Sequence, residues 1–171
     1  MSPLVRKKIV AGNWKMYKSL AEVSAFIQNW AQQSLPTNCD LVLIPQNAAL
    51  GYAVAQARAQ KLHHVFFGAQ NISWEEKGAF TGEFSPLLAK ELGAGFVLAG
   101  HSERRQFFGE TLESAAKRAI AAHKFGLRAI FCVGELLADR DAGKTFDVIR
   151  AQCAPLFALS PTAPAGFVFA Y

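Results

Sequence analysis

Six short apolar runs, separated by helical patterns, constrain this chain more than any other feature. The runs are Lys8–Ala11, Asp40–Ile44, Val65–Gly68, Phe96–Ala99, Arg128–Val133 and Phe167–Tyr171. They are apolar along their length, not at alternate residues, which predicts parallel strands covered on both faces. Their spacing leaves room for one helix and two turns in each interval, the layout of βα units.

The intervening segments read as helices. Ser19 and Glu22 form a capping box, and Val23, Phe26, Ile27, Trp30 and Ala31 then line one helix face. Asn47 is expected to cap a second helix through Leu50, Val54 and Ala57. Ser85-Pro86 opens a third, closed by Gly93. Leu112, Ala115, Ala116, Ala119 and Ile120 mark a fourth, ended by Gly126. A fifth runs from Thr145 to Phe157, and Pro161 and Pro164 make a loop into the last run. Such alternation predicts an α/β fold, with two closures open. One is a doubly wound open sheet. The other is a (β/α)8 barrel, which typically takes about 250 residues.

At 171 residues, 51% hydrophobic and 18% charged, the chain is sized for a single domain over 1–171. No apolar run reaches the roughly 18 to 20 residues of a membrane span. The N-terminal Met1-Ser2-Pro3 segment lacks the pattern of a secretory signal. Cys39, Cys132 and Cys153 have no metal-type spacing and read as free thiols of a reducing cytoplasm. The net charge of +5 fits an anionic small substrate, a nucleic acid, or plain solvated surface charge. Beyond Arg6-Lys7-Lys8 and Arg104-Arg105 the basic residues are scattered, which argues against nucleic acid.

In parallel α/β folds, ligands sit at the C-terminal ends of strands. There this sequence places Gly12-Asn13-Trp14-Lys15, Gln70-Asn71 with Gly78–Glu83, His101-Ser102-Glu103, and Gly134-Glu135. Each alone reads as a solvated loop; together they favour one site. Ser102 is expected to cap a short helix, whose N–H groups disfavour a charged imidazole at His101. His101 is then either a satisfied strand-end histidine or a neutral donor to a substrate oxygen. Lys15 is either a surface lysine or a positive charge on the pocket wall. Gly143-Lys144-Thr145 lacks the earlier glycine of a P-loop, Gly93-x-Gly95 precedes a strand, and His63-His64 has no ligand partner. No cofactor or metal is expected.

Five motifs carry a resemblance. Gly12-Asn13-Trp14-Lys15-Met16, Gly68-Ala69-Gln70-Asn71, Gly78-Ala79-Phe80-Thr81-Gly82-Glu83, Gly100-His101-Ser102-Glu103-Arg104-Arg105 and Cys132-Val133-Gly134-Glu135 resemble, in order and spacing, those of the triosephosphate isomerase family. The resemblance implies a TIM barrel and a cofactor-free interconversion of dihydroxyacetone phosphate and glyceraldehyde 3-phosphate through an enediolate. It implies that Asn13 and Lys15 bind substrate and that His101 is a neutral electrophile, a known property of this family and not a deduction from the spacing here. Glu103 would stand beside Lys15, and Cys132 would be a buried thiol. Thr81, with Gln70 and Glu83, would meet a partner subunit in a homodimer.

The family's general base is a glutamate directly after an Ala-Tyr pair on the sixth strand, and this sequence ends at Ala170-Tyr171. The expectation is a C-terminally truncated barrel of about six strands, nearly inactive by itself. Its first and sixth strands would be unpaired edges, leaving the chain poorly stable or sticky. The alternative is a non-catalytic fragment or interaction module that pairs through those edges.

Overall fold

A computed structural model describes residues 7–161 and 167–171. The N-terminal segment through Arg6, and Pro164 in the last loop, lie outside the described residues. The elements run in order as strand β1 (Lys8–Asn13), helix α1 (Leu20–Ala31), β2 (Cys39–Ile44), α2 (Leu50–Ala59), β3 (Val65–Ala69), α3 (Pro86–Glu91), β4 (Phe96–Ala99), α4 (Ser102–Phe107), α5 (Leu112–Lys124), β5 (Arg128–Cys132), α6 (Leu137–Asp141), α7 (Thr145–Leu159) and β6 (Val168–Ala170). All six expected strands are present, with ends shifted by at most two residues and β4 unshifted.

The order across the sheet is β1-β2-β3-β4-β5-β6, and every neighbouring pair is parallel. This decides between the two closures. A doubly wound sheet reverses strand order partway, whereas an order that never reverses keeps every right-handed crossover on one face. The sheet curls into six strands of a (β/α) barrel. Strand burial follows from the topology. All four residues of β4 are buried, while β1 and β6, each with one neighbour, are largely open.

Two apolar layers result. Outward-facing Leu43, Phe67, Val97, Ala129 and Phe131 pack under the helices with Val23, Ile27 and Leu50. Inward-facing Val42, Ile44, Phe96, Leu98 and Ile130 form the second layer. At the N-terminal end of the interior, Arg128 on β5 reaches Asp40 on β2 at 3.4 Å, and Lys7 meets the same carboxylate at 2.7 Å. Three strand spacings separate β2 from β5, about 14 Å on a flat sheet. The ion pair therefore needs the curl.

Local signals held at most ends. The Ser19–Glu22 box is formed, with Ser19 N–H donating to Glu22 Oε2 at 2.7 Å. Gly93 ends α3 at φ +99°, and the Ala94 N–H reaches back to the Ala89 carbonyl at 3.0 Å. Two expected caps are corrected. Asn47 does not cap α2. It opens a 3₁₀ turn, Asn47–Ala49, and its amide instead binds the main chain of Gln70 and Asn71, both at 2.9 Å. Ser102 is the first residue of α4, and the cap is His101 itself. The short helix α6 carried too few apolar residues to show in the sequence.

Replacing buried Ile27 of α1 by Ala is expected to cost about 2–5 kcal/mol, because transfer and cavity terms add. Leu20→Ala, on the exposed side of the same helix, is expected to stay within about 0.5 kcal/mol. Urea unfolding midpoints of the two variants check the assigned faces.

Candidate active site

The polar C-terminal ends of β1, β3, β4 and β5 meet at one mouth of the curled sheet. The first pair to meet is Lys15 and Glu103, 2.6 Å apart between Nζ and Oε1. Glu103 raises the lysine pKa, by its hydrogen bond first and its charge second, and the same bond lowers the carboxyl. Both side chains are near half exposed, so salt screens the pair.

Lys15 adopts φ +51°, a left-handed conformation that costs a residue with a Cβ about 1–2 kcal/mol. Both sides of its backbone are held. Its N–H donates to Asn13 Oδ1 at 2.9 Å, and its C=O accepts from Gln70 Nε2 at 2.8 Å. Gln70 in turn takes the Asn47 side chain on its own N–H. A chain of amides thus stitches the ends of β1, β2 and β3 together beneath the lysine.

His101 sits opposite, its side chain 21% exposed. As the α4 cap it accepts the Glu103 N–H on Nδ1 at 3.3 Å. The same Nδ1 also stands 3.6 Å from Glu103 Oε2. Nε2 faces Asn13 Nδ2 at 3.5 Å. Asn13 Oδ1 is committed to the Lys15 N–H, so the amide group toward the histidine is a donor. In the tautomer that leaves Nδ1 as the acceptor, Nε2 carries the N–H, and two donors then converge with neither able to satisfy the other. An oxygen that gains negative charge between them accepts from both, with the Lys15 ammonium nearby. The cleft they line holds about 320 Å³ and also includes Gln70, Asn71 and Glu103.

A second cleft, of about 360 Å³, lies on the other side of His101, between the ends of β4, β5 and β6. Its floor is Glu135, whose side chain is 2% exposed. Glu135 Oε1 accepts from Arg140 Nε at 2.9 Å and from Thr145 Oγ1 and Tyr171 OH, each at 3.0 Å; Arg140 also bonds the Tyr171 hydroxyl. Its own backbone N–H, then Arg140, Tyr171 and Thr145, pull the carboxyl down to about 2. Burial pushes the neighbouring Cys132 thiol up to about 11, so it stays protonated and unreactive at neutral pH.

The expected site residues fall into two groups. Asn13, Lys15, His101 and Glu103 come together at the first cleft. Gln70 lies in that same cleft wall, tied to Lys15 and Ile44. Thr81 is exposed on its loop, and Glu83 pairs with buried Arg118 at 2.9 Å. The supporting groups escaped the sequence reading. Glu110 lies outside every motif, yet its side chain is 1% exposed and holds Arg104 Nε at 2.6 Å. Arg105 stood in a quoted motif without a role. Among the described residues, no cluster of three or more His, Cys, Asp or Glu side chains is placed to hold a metal ion. No described helix is long and apolar enough to cross a membrane.

The chain is similar to known proteins along its length. The family model for triosephosphate isomerase matches residues 8–171. The triosephosphate isomerase of Solibacter usitatus is 45% identical over 149 residues, covering 86% of this chain and 59% of that protein. The Alkaliphilus metalliredigens protein of the same name is 47% identical over 148 residues, covering 86% and 58%. That of Xanthomonas oryzae pv. oryzae is 43% identical over 168 residues, covering 98% and 66%. The chain thus spans about three-fifths of the length of the curated relatives it matches.

The carboxylates set an acid dependence. Glu103 and Glu135 both titrate in the folded chain below their ordinary 4.5. Each contribution to stability is complete above that value and is lost as pH falls through the folded pKa, for Glu135 about 2. Glu135→Gln is expected to flatten the pH dependence of the urea midpoint between those limits. An unchanged slope would count against the cradle of Arg140, Thr145 and Tyr171.

Proposed function

The chain belongs to the triosephosphate isomerase family, and we propose that it supplies the substrate-holding wall of an isomerase acting on a small phosphorylated triose. The observation that carries this reading is the approach of Asn13 Nδ2 and His101 Nε2 to 3.5 Å in a cleft that Lys15 also lines. A ketose or aldose carbonyl seated there is polarised as its α-proton leaves, because charge builds on the oxygen that both donors face. The product of that step is an enediolate. By family resemblance, His101 moves protons between its two oxygens. Lys15 balances the phosphate and the enediolate, and Glu103 keeps the ammonium in place through its 2.6 Å contact.

The base that removes the α-proton is, by family resemblance, the glutamate that follows an Ala-Tyr pair. In this sequence that position would come directly after Ala170-Tyr171. The reaction needs no cofactor. The homodimer belongs to the same proposal, with Thr81 carried toward a partner site and Gln70 and Glu83 near that contact. The exposed position of the Thr81 loop supports it. A cytoplasmic location and a single domain over 1–171 also follow from the family reading and are proposed with it.

A positioned base contributes about 10²–10⁴ to rate. The 171-residue polypeptide by itself is therefore expected to show little turnover in a coupled isomerase assay, after intact mass confirms its length. It is expected to bind dihydroxyacetone phosphate measurably by calorimetry. Lys15→Met is expected to weaken that binding about tenfold to a hundredfold, the loss of one charge-assisted contact. Equal affinity in the variant would remove Lys15 from the substrate wall. Brisk turnover by the verified 171-residue chain would show that the base lies within these residues.

A further inference from the structure

Gly100, the residue before His101, is gripped on both its N–H and its C=O. The Gly100 N–H donates to Glu110 Oε1 at 3.0 Å, and its C=O accepts from Arg105 Nε at 2.7 Å. The same guanidinium reaches across to the next strand, where Nη2 donates to the Cys132 carbonyl at 3.0 Å. These bonds begin where the sheet stops. The β4–β5 pairing ends at Ala99–Phe131, and Gly100 then turns to φ +74°. Past that point Arg105 supplies N–H groups to two carbonyls beyond the last ladder pair.

Three observations indicate that this is a constrained position. A Cβ at Gly100 would stand 2.6 Å from Arg105 Nη2, so the glycine is what lets the guanidinium close on its peptide. Arg105 Nη1 is buried with no partner among the described residues. Burial also lowers the Arg105 pKa, a cost of keeping the cation in this place. A lysine ammonium there would be a point charge, whereas the planar fork spans two fixed acceptors.

We propose that Arg105 is a positioning residue for His101. By locking the Gly100 carbonyl to the end of β5, it fixes the peptide from which the imidazole hangs. That keeps Nδ1 on the Glu103 N–H and Nε2 toward Asn13. What the held imidazole does rests on the isomerase reading above; that it is held does not.

A ring nitrogen whose lone pair is occupied by a backbone N–H is a poor nucleophile, so the test reads the acylation of His101. His101 is 21% exposed, and His63 is an exposed reference on the same chain. The ratio of their carbethoxylation rates by diethyl pyrocarbonate is measured by peptide mass spectrometry on the 171-residue chain. Arg105→Lys is expected to raise the His101-to-His63 ratio severalfold. Val54→Ala, a buried change on α2, reports lost stability alone and is expected to leave the ratio at its wild-type value. Adding methylguanidinium to Arg105→Ala is expected to bring the ratio back down, and this arm decides the matter if Arg105→Lys does not fold. An unchanged ratio in folded Arg105→Lys, an equal rise in Val54→Ala, or a ratio that stays high with methylguanidinium overturns the proposal. Because no substrate is present, none of these outcomes depends on whether the chain is an isomerase.

Discussion

The curl of the sheet is the constraint on which the rest depends. It brings strands three places apart into side-chain contact across the interior, and it does so at both ends. At one end Asp40 of β2 meets Arg128 of β5; at the other Asn13 and Lys15, at the end of β1, meet His101 and Glu103, just past β4. Each of these pairs is separated by the same 88 residues, which is three βα units. A flat sheet would hold such residues about 14 Å apart at the backbone. The apolar layer of Val42, Ile44, Phe96, Leu98 and Ile130 fills the space between the two polar ends.

Given the curl, the site depends on how its backbone is held more than on its charges. The Lys15–Glu103 pair is short, but both groups are well exposed, and an exposed pair adds little to stability. The costly feature is local: Lys15 keeps a left-handed backbone, while Gly100, which turns out of the sheet one residue before His101 at φ +74°, does so without strain because it has no Cβ. Each is fixed by side chains on both sides of its peptide: Asn13 and Gln70 for the lysine, Glu110 and Arg105 for the glycine. Strain held by surrounding hydrogen bonds is a means of aiming a side chain without depending on its own rotamer freedom.

Strands and long helices were legible because their signals are local. The six runs, the Ser19–Glu22 box and the Gly93 and Gly126 stops all appear where the patterns place them. Failures came where a side chain had a choice of partners. Asn47 can cap a helix in isolation, but here the end of β3 offers it two backbone groups. Histidine is a less usual cap than serine, and His101 displaces Ser102 because its Nδ1 reaches the Glu103 N–H. Glu110 carried no signal at all, since nothing in a sequence marks an acid that will be buried against a distant peptide.

The sequence by itself determined the parallel α/β class, through continuous apolar runs, and the family, through five motifs in register. It also named Asn13, Lys15, His101 and Glu103. Residue patterns left the closure of the sheet open, the family resemblance implied a barrel, and the tertiary structure shows the curl; it alone decided that Asn13 Nδ2 and His101 Nε2 stand 3.5 Å apart and that Glu110 and Arg105 hold Gly100. Periodicity records which face of an element is apolar. It does not record the distance between faces of elements far apart in the chain, and at this site the chemistry is set by those distances.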